Sequence, residues 1–338
     1  MKPTLLFFML GLGIATAQTK QDETPYQTKT FNGNALRMDV AGGSIQVEGG
    51  SGKDVTVEMY VRLNNWPANQ IDKAEIEKRL ADYDVSMQTE GSTVVVTSKR
   101  KPGINWDSNR NISVSFKVFT PVTFTTDLKT SGGSIHLAHL KGTQQFKTSG
   151  GSLHLTTIEG DVDGRTSGGS IHLSECKKNI SLQTSGGSIH ADHCDGQLTM
   201  KTSGGSIHLD ALKGTTQVST SGGSIQASDI AGELTAHSSG GSIRLQNIAA
   251  ALDAETNGGS IEADISKMTQ YVKLRSSSGN VRVNLPISQG IDLDIRGRKV
   301  KVPLSQFRGQ ADDDHVSGKL NGGGIPVTIS ANGNVSIN

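Results

Sequence analysis

Residues 130–139 read TSGGSIHLAH. The same phrase returns as TSGGSLHLTT at 148–157, TSGGSIHLSE at 166–175, TSGGSIHADH at 184–193, TSGGSIHLDA at 202–211 and TSGGSIQASD at 220–229. The Gly-Gly pairs that open these units start at Gly132, Gly150, Gly168, Gly186, Gly204, Gly222, Gly240 and Gly258, a constant step of 18 residues. A fixed step of this size signals a repeat architecture. With the first Gly as position 1, position 4 is Ile135, Leu153, Ile171, Ile189, Ile207, Ile225, Ile243 and Ile261. Position 6 is Leu or Ala, position 13 is often aliphatic and position 15 mostly small or aliphatic, and positions 13, 15 and 17 alternate with mostly polar residues. Alternation with period two marks strands with one buried face. Glycine punctuates the strands where turns call for positive φ.

One such unit cannot bury its apolar face alone, but stacked units make a continuous core. The spacing predicts an all-β fold: a single-stranded β-solenoid, or β-helix, with 18-residue coils about 4.8 Å apart. The jump in inward positions from 6 to 9 predicts a bulge or third corner in each coil.

Working outward, the regular solenoid spans residues 129–275. Between those bounds only Phe146 and Tyr271 are aromatic, because a thin coil cannot hold a ring at every level. Residues 29–128 read as an N-terminal cap. It holds a degenerate unit at Ala41–Val47, strands near Val55–Leu63, Tyr83–Thr89, Thr93–Ser98 and Ile112–Phe119, and one helix over Ala68–Asp82. Ile71, Ala74, Ile76 and Leu80 form that helix's apolar stripe. Residues 276–338 read as irregular coils and a C-terminal cap, in which Ser278-Gly279-Asn280-Val281 resembles a unit displaced by two residues. Residues 18–28 read as a flexible N-terminus. Residues 1–17 read as a secretory signal: Lys2, the apolar run Leu5–Ala15, and the small-residue cleavage site Ala15-Thr16-Ala17. The expected location is therefore outside the cytoplasm: periplasm, outer surface or medium, with no integral membrane segment after cleavage.

Composition excludes several classes. The 338 residues include 41 Gly and carry a formal net charge of +1, so no basic surface points to nucleic acid. Two Cys cannot make a disulfide scaffold.

An exported chain with an early strand pair, a helix, the segment Ile112–Thr120-Pro121 and a ladder of S-G-G-S-I units resembles the bacterial "putative adhesin" family. The resemblance covers roughly residues 30–338. It implies a β-helical protein of the bacterial envelope or surface, and it brings no functional residues with it.

Three constellations stand out. Position 5 is His136, His154, His172, His190 and His208, then Gln226, Arg244 and Glu262. Lying between inward positions 4 and 6, it faces outward, so five imidazoles form one column. Neutral imidazole binds transition metals, which makes the column a candidate metal array, with His139 and His193 at position 8 as further donors. The other readings are an exposed polar column copied by repetition, or a column that charges and repels itself in acid. Cys176 and Cys194 share position 9 of consecutive coils, close enough for a disulfide; the alternative is two buried thiols standing in for Leu or Ile. Thr148, Thr166, Thr184, Thr202, Thr220 and Thr256 share position 17, whose inward parity suits turn hydrogen bonds better than an outward ice-binding array. No catalytic constellation and no cofactor are expected, since the units carry no inserted loops on which acids, bases and nucleophiles could converge. The expected function is a non-enzymatic adhesion or interaction module with a protein or glycan surface ligand. The alternatives are a polysaccharide-acting β-helix enzyme and a metal-binding envelope protein.

Overall fold

The computed structural model describes residues 24–63, 73–103, 111–303 and 305–338. The segment 1–17 expected to be a secretory signal, most of the tail 18–28, both Trp residues and the first part of the expected helix lie outside them. The described chain is nearly all-β, with one short helix at Lys73–Leu80 inside the expected span. Among the described residues no helix is long and apolar enough to cross a membrane.

Every coil contributes one strand to each of two parallel ladders, and the core lies between them. In one ladder Ile135, Leu153, Ile171, Ile189, Ile207, Ile225, Ile243 and Ile261 lie in register, each above its predecessor. In the other, Leu128, Phe146, Gly164, Leu182, Met200, Val218, Ala236 and Ala254 do the same. Gly164 exists to admit a ring: a Cβ there would lie 2.1 Å from the side chain of Phe146 one coil below.

Several letters of the Thr-Ser-Gly-Gly-Ser-Ile phrase have a structural task. The second Gly makes the closest approach: a Cβ on Gly151, Gly169, Gly187, Gly205 or Gly223 would sit 2.1 Å from the carbonyl oxygen of the equivalent Gly in the preceding coil. The requirement there is room between coils, not the positive φ that the sequence suggested. The position-17 hydroxyl seals this corner. Thr202 Oγ1 donates to the Gly187 carbonyl at 2.7 Å and accepts the Gly205 N–H at 3.2 Å, and the pattern repeats from Thr148 to Thr256. The inward Thr column therefore satisfies turn groups. The Ser after the Gly pair forms a third ladder, each N–H donating to the Ser Oγ of the coil before, as Ser206 does to Ser188 at 3.2 Å.

The predicted third corner is a left-handed residue at position 8: His139, Thr157, Glu175, His193, Ala211, Asp229 and Asn247 all have φ between 51° and 56°. Position 11 also turns with positive φ and is Gly in five coils, but Lys178 holds it with φ 81°.

The ends differ from a simple stack. Strands Ala35–Val40 and Ile45–Gly50 form a coil that lies between the coil Thr93–Arg100/Ile112–Pro121 and the coil Thr125–Thr130/Ile135–Ala138. Tyr83–Glu90 closes one ladder antiparallel to Thr93–Arg100. Val55–Leu63 and then Gln27–Phe31 close the other. Gln27–Phe31 begins inside the segment 18–28 expected to be flexible. At the far end Ile325–Ala331 and Val335–Ile337 form a coil between Val272–Ser276/Val281–Asn284 and Ile291–Arg296/Val300–Lys301. His315–Leu320 and Phe307–Ala311 then close one ladder antiparallel. The two-residue displacement read at Ser278 is confirmed, since Ile261 lies under Val281.

Candidate functional site

The inward residues Ile, Leu and Ala at positions 4 and 6 fix the orientation of the residue between them. His136, His154, His172, His190 and His208 accordingly stand in register on the outer face. Their rings stack face to face, with centroids 4.5, 4.9, 5.0 and 4.8 Å apart and planes within 6° of parallel. The ladder spacing sets this distance, so the stack follows from the backbone. Burial first, and then the charge of the preceding ring, hold the imidazoles of His154, His172, His190 and His208 below their usual pKa. The Nδ1 atoms of His190 and His208 are buried and have no hydrogen-bond partner. Gln46 precedes the histidines in the column, and Gln226, Arg244, Glu262 and Arg282 continue it. Arg244 Nε lies 3.3 Å from Glu262 Oε2.

A second outward column runs beside the first at position 7: Ala138, Thr156, Ser174, Asp192, Asp210, Ser228 and Gln246. Its members brace one another between coils. Ser174 Oγ donates to Asp192 Oδ2 at 2.7 Å, and Ser228 Oγ donates to Asp210 Oδ1 at 2.5 Å. Where the columns pass from His to Gln and Arg they frame an open groove of about 530 Å³, lined by His190, Asp192, His208, Asp210, Gln226 and Arg244 among others. The sequence reading missed this acidic part of the face. Its signal was the IHAD and IHLD of consecutive units, where position 7 becomes acidic twice running.

The five histidines are thus brought together as a column, but not around a point. A ring nitrogen's lone pair lies in the ring plane, and parallel stacked rings aim theirs side by side. A tetrahedral metal site needs convergence. Among the described residues no group of three or more His, Cys, Asp or Glu side chains is gathered for a metal ion. His139 and His193 occupy the left-handed corner three coils apart, and His193 Nδ1 lies 3.2 Å from Asp192 Oδ2.

Cys176 and Cys194 sit one above the other in the core as free thiols; in this structure they are not bridged. Their sulfurs turn to the backbone instead: Cys176 Sγ donates to the Ser174 carbonyl at 3.3 Å and Cys194 Sγ to that of Asp192 at 3.2 Å. The Cys176 N–H in turn donates to Cys194 Sγ at 3.4 Å. Hydrogen bonding to Cys176, and then burial, push the Cys194 thiol up and keep it protonated.

Comparison with solved structures finds likenesses at low identity. A "putative cell adhesion protein" from Clostridium sporogenes is 13% identical, the match covering 93% of this chain and 99% of that one, with a TM-score of 0.21. A "putative adhesin" from Bacteroides fragilis is 14% identical over 76% of this chain and 95% of that one, with a TM-score of 0.29. A "putative lipid binding protein" from Parabacteroides distasonis is 14% identical over 92% and 96%, with a TM-score of 0.27. No curated protein matches the chain. Residues 177–338, which hold the later coils of the solenoid and its C-terminal cap, match the model of the Toastrack DUF4097 family.

Proposed function

We propose that this chain is a non-enzymatic interaction module, exported from the cell and working at its surface or in the periplasm. The face of histidines and its acidic groove would make the contact. The observation that carries this reading is the ring stack itself: five equivalent side chains held at 4.5–5.0 Å intervals on a rigid sheet. Identical groups on a fixed spacing favour a partner that is itself repetitive, because each further contact is intramolecular and raises avidity without a strong single bond. Export is supported by the leader-like first 17 residues.

The absence of catalysis is supported by the way the side chains run. Acid, base and nucleophile must meet at one reacting atom, whereas these columns extend side by side.

Protease shaving of intact cells, combined with an attachment assay on a strain lacking the gene, tests the reading. Shaving should release fragments of a chain held at the surface, osmotic shock should release one held in the periplasm, and loss of the chain should reduce attachment. A protein found only in the cytoplasm, with attachment unchanged, overturns the proposal.

A further inference from the structure

A ligand lying on the histidine face meets hydrogen-bonding atoms rather than grease. Among the described residues Ile287 is the large hydrophobic side chain that stands exposed, and it belongs to neither column. The face therefore lacks the apolar or aromatic anchor that usually dominates binding between proteins. It offers groups of both polarities instead. With Nδ1 of His190 and His208 buried, Nε2 is the nitrogen those rings turn to solvent. Two residues further along the same strands, Asp192 and Asp210 supply acceptors. Gln226 and Arg244 supply donors at the next two levels of the groove.

A hydroxyl both donates and accepts, so a polyhydroxyl compound suits this mixed lining. A polyanion does not, because Asp192 and Asp210 would repel it. The period of the face points the same way. Its groups repeat every 4.5–5.0 Å, close to the advance per sugar along an extended pyranose chain. The groups are also ordered before any ligand arrives, by ring stacking and by the Ser174–Asp192 and Ser228–Asp210 hydrogen bonds. Little side-chain entropy is left to lose on binding.

We propose that the groove at residues 190–246, continued along the histidine column, binds a neutral extended glycan chain laid parallel to the solenoid axis, one sugar per coil. This rests on the histidine face being the interaction surface.

The test is calorimetric titration of the full chain, above neutral pH, with β-linked hexasaccharides of glucose, xylose and N-acetylglucosamine, with the matching disaccharides, and with oligogalacturonate as the charged control. At least one neutral hexasaccharide should bind, and its disaccharide should bind at least about tenfold more weakly, a difference of about 1.4 kcal/mol. Two independent double variants, Asp192→Asn with Asp210→Asn and His190→Ala with His208→Ala, should each weaken binding by about tenfold or more. Lys147→Ala on the opposite face should leave it unchanged. Circular dichroism selects variants that keep the wild-type fold, and either double variant alone decides the matter.

Absence of binding to every neutral hexasaccharide overturns the proposal. So does binding of oligogalacturonate alone, or equal affinity for disaccharide and hexasaccharide. The same double variants in the attachment assay separate the two ideas. Attachment lost without any glycan binding removes the ligand class and keeps the interaction surface; attachment and glycan binding both unaffected remove the surface as well.

Discussion

From Thr125 to Ser276 each coil lies on the coil that precedes it in sequence. At both ends that rule breaks, and it breaks in the same way. The first coil, Ala35–Gly50, is enclosed by two coils that come later in the chain. The last, Ile325–Ile337, is enclosed by two that come earlier. What remains outermost at each end is mostly antiparallel: Gln27–Phe31 and Tyr83–Glu90 on one side, Phe307–Ala311 on the other. Any strand at an open end, parallel or antiparallel, presents unpaired backbone groups to a passing strand. Here the outermost strands are largely polar on their exposed faces, with Lys29 and Arg308 among them. The middle of the molecule is interchangeable; the ends are specific.

Deletions should expose that difference most sharply. Removing residues 222–239, one whole unit, joins Ser221 to Gly240 in register, and the product should unfold in a single transition only slightly below the parent, as repeat energetics predict. Removing 321–338 opens a gap between the ladders of Val272–Ser276 and Ile291–Arg296, and the product should lose cooperative unfolding and aggregate. Thermal denaturation followed by circular dichroism, with size-exclusion chromatography, checks both; equal behaviour of the two deletions would abolish the distinction.

Within the middle, single substitutions should separate the two glycines of a pair. Gly205→Ala places a methyl 2.1 Å from the Gly187 carbonyl oxygen and should destabilise by about 3 kcal/mol, the upper range for overpacking. Gly204→Ala, whose nearest neighbour would be 3.4 Å away, should stay within about 0.5 kcal/mol of the parent. Urea unfolding measures both. Thr202→Val keeps the shape but strands the Gly205 N–H, and should cost about 1–3 kcal/mol. Lys178→Gly should act in the opposite direction. It relieves the one non-glycine residue held at position 11 with positive φ and should gain about 1 kcal/mol, visible as a raised melting temperature.

The histidine stack supplies the mildest contrast. His154, His172, His190 and His208 have pKa values lowered in the folded chain, so below the ordinary imidazole value the unfolded state binds more protons than the folded one. Stability then falls as the pH drops through about 6.5. The fall stops once the folded rings are themselves charged. Replacing the four by Asn should flatten this slope in melting curves measured across that range.

The middle of the fold was legible because its signal is geometric: a constant step with inward Ile and Leu leaves one arrangement, a register of like on like. The histidine column followed from parity alone. The acidic groove beside it did not, since Asp192 and Asp210 each look like an ordinary solvated residue until the ladder sets one over the other. The cysteines were correctly placed in adjacent coils, but proximity does not reveal where a sulfur turns, and both turn to carbonyls. Nor could the sequence disclose the enclosed end coils. Asn332-Gly333-Asn334-Val335 reads as a loose continuation of the repeat, yet Val335 lies directly over Val281, 54 residues earlier; pairing at that distance leaves no period to detect.

The enclosed coil Ile325–Ile337 also imposes a chronology. Its neighbours on both sides precede it in sequence, so in a chain made amino end first the berth between the coils of Asn284 and Ile291 is filled only after both of them have been made. The regular coils can wind up as they emerge; that berth cannot be filled early.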